Sequence, residues 1–96
     1  MAKEIRYEND FYKAILCLET EEECKRFFDD VCTIQEIEAI AQRLEVAKKL
    51  YEGKRYAEVN QLTGASTATI CRVSKCLNYG SDGYKTVLGR LNETDI

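Results

Sequence analysis

Five cysteines stand at positions 17, 24, 32, 71 and 76 of a 96-residue chain that has no histidine. Thiolates and imidazoles are the usual ligands of zinc, and a structural site gathers four of them at close pairwise spacing. No two cysteines form a C-x-x-C pair and their number is odd, so neither a metal site nor a disulfide framework is expected. Free, mostly buried thiols are expected instead, because free cysteine packs like a small hydrophobe. Without an imidazole, no side chain titrates near neutrality in its ordinary state. The glycines at 53, 64, 80, 83 and 89 are scattered and form no phosphate-binding loop. Catalysis is therefore not expected, and no cofactor is implied by these residues.

A different chemistry is available in "NQLTGASTATICRVSKCLN", Asn60 to Asn78. Gly64 can make a turn, Ser66 can cap a helix of about 67–78, and Ile70, Val73 and Leu77 fall on one stripe. The opposite face then carries Thr67, Ala68, Thr69, Cys71, Arg72 and Lys75. Small residues at the start of a helix allow close approach to a duplex groove. Threonine hydroxyls can bond to bases or phosphates, and alanine or threonine methyls can meet thymine methyls. Lys54, Arg55 and Lys75 would flank that face as phosphate anchors, and Ser66 at its start is counted with the DNA-binding residues. Charge supports this reading. Residues 1–45 hold six Lys/Arg against twelve Asp/Glu, a net of −6, whereas residues 46–90 hold eight against three, a net of +5. The overall charge of −3 conceals a basic half that suits a polyanion.

The elements that would position these residues are helical. There is no proline, and the segments between glycines repeat with helical rather than strand period. A first helix is expected over 7–18, with Phe11, Ile15 and Leu18 on one stripe and Tyr12 and Leu16 beside it. A second follows Thr20, which pairs with Glu23 as a capping box, and its apolar face is Cys24, Phe27, Phe28 and Val31. A second capping box, Thr33 with Glu36, opens the longest helix, 34–51. Ile34, Ile37, Ile40, Ala41, Leu44 and Ala47 line one of its faces, which continues to Leu50 and Tyr51, and Gly53 ends it. A two-turn helix over "KRYAEVNQL", the "TGAS" turn and the helix at 67–78 make a helix-turn-helix unit. A last helix is expected over 82–91, and residues 92–96 are expected to fray. The chain reads as a single all-α domain of 96 residues. Residues 1–51 would be dimerisation helices and 54–78 the helix-turn-helix. Phe11, Ile15, Phe27, Phe28, Ile37, Ile40 and Leu44 offer more apolar surface than so short a chain comfortably buries alone.

"TIQEIEAIAQRLEVAKKLYEG" followed by "LTGASTATICRVSKCLNYG" resembles the Trp repressor family, and within it the YerC/YecD-type branch. The resemblance covers about residues 32–91, roughly two thirds of the chain. It implies a six-helix, Trp-repressor-like fold in an intertwined homodimer. The two reading helices would enter successive major grooves, so the site on double-stranded DNA would be near-palindromic. It also implies a repressor whose effector, tryptophan, lies between two arginines. Arg43 matches the arginine on the long helix, taken to come from the partner subunit, and Arg72 matches the one on the reading helix. Thr33 matches a threonine that holds the ligand carboxylate. Two positions depart from that pocket. Val73 stands where the family's repressor has glycine against the indole, and Cys76 replaces a serine. Overpacking a tight site costs on the order of 1–3 kcal/mol, so tryptophan is not expected to be the co-repressor.

Two other readings stay open on the residues alone. One is a helical protein–protein module that has lost DNA binding. The other is a thiol-based sensor acting through Cys71, since Cys71 and Cys76 lie on or beside the reading helix. No run of about 18 apolar residues occurs, and the start "MAKEIRYEND" lacks the apolar core of an export signal. A cytoplasmic protein is expected.

Overall fold

A computed structural model describes residues 5–94. Six helices follow one another, α1 (Glu8–Leu16), α2 (Glu21–Val31), α3 (Ile34–Tyr51), α4 (Tyr56–Thr63), α5 (Thr67–Tyr79) and α6 (Gly83–Thr94), with no strand among the described residues. No helix among them is long and apolar enough to cross a membrane.

Local chemistry sets the helix ends. The Thr20 hydroxyl accepts from the Glu23 N–H at 3.1 Å, and the Glu23 carboxylate accepts from the Glu19 N–H at 2.8 Å, one residue before the cap. At Thr33 the box is fully reciprocal. Glu36 N–H donates to the Thr33 hydroxyl at 3.1 Å, and Thr33 N–H donates to the Glu36 carboxylate at 2.8 Å. α3 closes in a Schellman motif. Gly53 takes φ +89°, its N–H donates to the Leu50 carbonyl at 3.0 Å, and Lys54 N–H reaches the Lys49 carbonyl at 3.1 Å. The tail expected to fray from residue 92 instead continues α6 to Thr94, and positions 95 and 96 lie outside the described residues. No glycine or proline follows Leu91, so nothing there breaks the helix.

The chain groups into two compact units, one ending at Ile37 and the other starting at Glu38. The division falls inside α3 rather than after Tyr51, because the C-terminal half of that helix belongs to the core of the second unit. That core is Val46 and Ala47 of α3, Val59 of α4, Ala65 in the turn, Ile70 and Val73 of α5 and Leu88 of α6, all exposed by 2% or less. Leu44, Leu50 and Tyr84 pack against it. The apolar row expected to be the inner face of α3 is only partly so. Ile34 and Ile40 are exposed, while Val46, outside that row, is fully buried. In α4 only Val59 is buried, with Tyr56 and Leu62 exposed.

In the first unit, α1 and α2 contain no buried residue. Phe11 stacks on Phe27 with centroids 6.3 Å apart, and Phe27 meets Phe28 edge-on at 5.3 Å. Leu16, Val31 and Ile34 stand exposed.

Candidate nucleic-acid interface

α4, the turn and α5 form the helix-turn-helix. The turn is held by a closed set of hydrogen bonds. Gly64 adopts φ +72°, a conformation that costs a residue with a Cβ, and its N–H donates to the Asn60 carbonyl at 2.9 Å. The Asn60 amide donates to the Ala65 carbonyl at 2.8 Å. The Thr63 hydroxyl donates to the Val59 carbonyl at 2.7 Å and accepts from the Ala65 N–H at 3.2 Å. Ser66 then caps α5. Its Oγ accepts from the Thr69 N–H at 3.2 Å and lies 3.1 Å from the Thr69 hydroxyl.

With the N-terminus fixed, helical period decides which side chains point where. Ile70, Val73 and Leu77 are all buried, as the stripe requires. Thr67, Ala68, Cys71, Arg72 and Lys75 are exposed and Thr69 is half-buried. α5 contains Arg72 and Lys75 and no acidic residue. Its positive dipole end is therefore uncompensated where Thr67 and Ala68 sit, which favours an approaching phosphate. Lys54 and Arg55 precede α4, Lys54 half-buried and Arg55 exposed. Ser66 is exposed as well, with its hydroxyl engaged in the cap.

The cysteines do not fit the expected burial. All five are free, but Cys17, Cys24, Cys71 and Cys76 are exposed and Cys32 is half-buried. The core of the second unit is filled by other side chains, and cysteine's tendency toward burial yields to its position on each helix.

The five residues matched to an effector pocket fall at several places within the single chain. Arg43 and Arg72 of the same chain line one hollow of roughly 300 Å³ with Ala39, Gln42 and Thr69. Within one chain, then, both arginines line the same hollow. Cys76 lines a separate, mostly apolar groove of roughly 640 Å³ with Ile40, Leu44, Tyr84 and Val87, to which Arg43 also contributes. Val73 lines neither hollow. It is 1% exposed and part of the core. Thr33 serves as the cap described above.

Two residues escaped the sequence reading. Val46 could have been found from Leu50 one turn on, which extends the apolar arc of α3 past Ala47, away from Ile34 and Ile37. Gln42 could not. Its amide donates to the Thr63 carbonyl at 3.2 Å, across 21 positions of sequence, and no local pattern announces such a bond.

Comparison with known proteins agrees with this arrangement. The family described as Trp repressor protein matches residues 8–92, well beyond the stretch that carried the resemblance in the sequence. The uncharacterized protein YerC of Bacillus subtilis (strain 168) is 55% identical over 87 residues, which is 91% of this chain and 84% of that protein. A crystal structure of a TrpR-like protein from Eubacterium eligens ATCC 27750 superposes with a TM-score of 0.87 at 49% identity, covering 92% of this chain and 91% of that one. A candidate Trp repressor from Staphylococcus aureus gives 0.85 at 45% identity, covering 93% and 96%. Six helices in the same order, a helix-turn-helix with a basic outer face and a match across nearly the whole chain lead to one conclusion: the chain belongs to the Trp repressor family, a family of DNA-binding transcription regulators.

Proposed function

We propose that this chain is a homodimeric, sequence-specific repressor of transcription. It reads a near-palindromic duplex through α5 of each subunit and acts in the cytoplasm. The observation that carries the reading is the division of α5 into two faces. Its three core residues are buried, and its hydroxyl and basic residues stand outward on a helix without a carboxylate. Lys54, Arg55, Arg72 and Lys75 supply phosphate contacts and the salt dependence that goes with them. Thr67, Ala68, Thr69 and Cys71 face base edges.

Dimerisation is supported by what a single chain leaves uncovered. α1 and α2 bury nothing, Leu16, Val31, Ile34 and Ile40 are exposed, and the groove beside Ile40 is mostly apolar. A second copy of the chain would cover such surfaces, and a two-fold pair presents its reading helices to two half-sites.

Tryptophan is not the co-repressor in this reading. Val73 belongs to the core, so admitting an indole against α5 would displace a packed side chain, and Cys76 lies in a different hollow from Arg72. Selection of bound sequences from a random duplex library, with and without tryptophan, tests both parts. Enrichment of a near-palindrome independent of tryptophan is expected. Tryptophan binding at millimolar or tighter affinity that strengthens DNA binding would overturn the second part, and no enriched sequence would overturn the first.

A further inference from the structure

The hydrogen bond from Gln42 to Thr63 differs from the other side-chain hydrogen bonds described above, which span five residues or fewer. It joins α3 to the end of α4. The Thr63 carbonyl belongs to the last turn of α4, where carbonyls have no partner within the helix. Gly64, Asn60, Thr63 and Ala65 satisfy one another locally, but this carbonyl is met from outside the helix-turn-helix. Gln42 is half-buried, and it stands in the wall of the hollow that Arg43, Thr69 and Arg72 share. It is therefore placed where α3 approaches the start of the reading helix. Apolar packing around Val46, Val59 and Ile70 holds the elements together but is weakly directional. A hydrogen bond fixes an angle.

We infer that Gln42 is a positioning residue that sets the aim of α5 by tethering the turn before it to α3. The inference rests on the reading of α5 as a DNA-reading helix. It separates two kinds of binding. Base contacts need an exact aim, whereas phosphate contacts tolerate small rotations. Loss of the tether should weaken specific binding and leave non-specific binding and its salt dependence in place.

The test is Gln42→Met, which keeps an unbranched, helix-compatible side chain and removes the donor. Its affinity is measured for the duplex enriched by the unsubstituted protein and for a scrambled duplex of equal length. Amide exchange at Gly64 and Ala65 is followed in the free protein. The expected result is a loss of about three- to tenfold on the enriched duplex, no change on the scrambled one, an unchanged salt slope and faster exchange in the turn. An equal loss on both duplexes would reduce Gln42 to general stability and overturn the inference, as would unchanged affinity for the enriched duplex. If the unsubstituted protein enriches no sequence, the reading of α5 fails by itself. Unchanged exchange at Gly64 and Ala65 would remove the tether whatever the DNA result.

Discussion

The two units of this chain use apolar side chains in opposite ways. The second unit builds a closed core, with Val46, Ala47, Val59, Ala65, Ile70, Val73 and Leu88 at 2% exposure or less. In the first unit, α1 and α2 are also amphipathic, yet neither contains a buried residue, and Leu16 is 84% exposed. An amphipathic face shows that something must cover it, but not whether the cover comes from the same chain. Here the helix-turn-helix unit builds a buried core within one chain, although Ile40, Leu62 and Val87 stay exposed on it, whereas α1 and α2 of the first unit bury no side chain at all.

A charge placed on the uncovered surface should break this contrast most severely. Ile34→Asp, at an exposed position of the first unit, is harmless if that surface faces water. If a second copy covers it, the substitution buries an unpaired carboxylate at a cost of about 3–5 kcal/mol per copy. Sedimentation should then fall from twice the 11.0 kDa chain mass to the single chain, and an unsubstituted protein of single-chain mass would dissolve the contrast altogether. Next in size is Ile70→Ala in the closed core. It should cost about 2–5 kcal/mol in urea unfolding, through lost transfer energy and a cavity. Leu16→Ala, at an exposed site, should cost much less than that if no second copy packs over it and a comparable amount if one does.

Smaller substitutions refine the reading unit. Gly64→Ala should cost roughly 1–2 kcal/mol from the left-handed backbone alone, since no atom lies within 4 Å of the Cβ it would add. Gly64→Asn should cost less, because asparagine tolerates that conformation. A loss as large for asparagine as for alanine would contradict the backbone account. Gly80 differs from Gly64 in kind, because there a Cβ would run into the Cys76 carbonyl oxygen. The smallest effect expected is Ser66→Ala, about 1 kcal/mol from removal of the cap on α5. Thermal unfolding reads it, and no change would mean that the Thr69 N–H finds another acceptor.

These contrasts also show what the sequence could and could not convey. The reading unit was legible because its signals are local. Gly64, the Ser66 cap and the Ile70, Val73, Leu77 stripe each act within a few residues, and each stands where the pattern put it. The bounds of α3 were legible from the Thr33–Glu36 box and Gly53. The partner of each apolar face was not. Ile34 and Ile40 belong to the evident stripe of α3 and remain exposed, while Val46 on its flank is buried, since period reveals a face and not what lies opposite. The sharing of one hollow by Arg43 and Arg72, and the Gln42 bond, depend on how helices distant in sequence meet. Cysteine burial failed as a guide because a residue's average preference yields to its position on a helix.

The central claim is that α5 is the reading head of a two-fold DNA-binding protein. Its most direct test is hydroxyl-radical footprinting on the enriched duplex, with the unsubstituted protein and with Arg72→Ala/Lys75→Ala, at two salt concentrations. The account predicts two protected patches about one helical turn apart on one face of the duplex, weakening as salt rises and lost in the double variant. A single patch would contradict the two-fold arrangement, and a footprint unchanged in the double variant would contradict the assignment of α5.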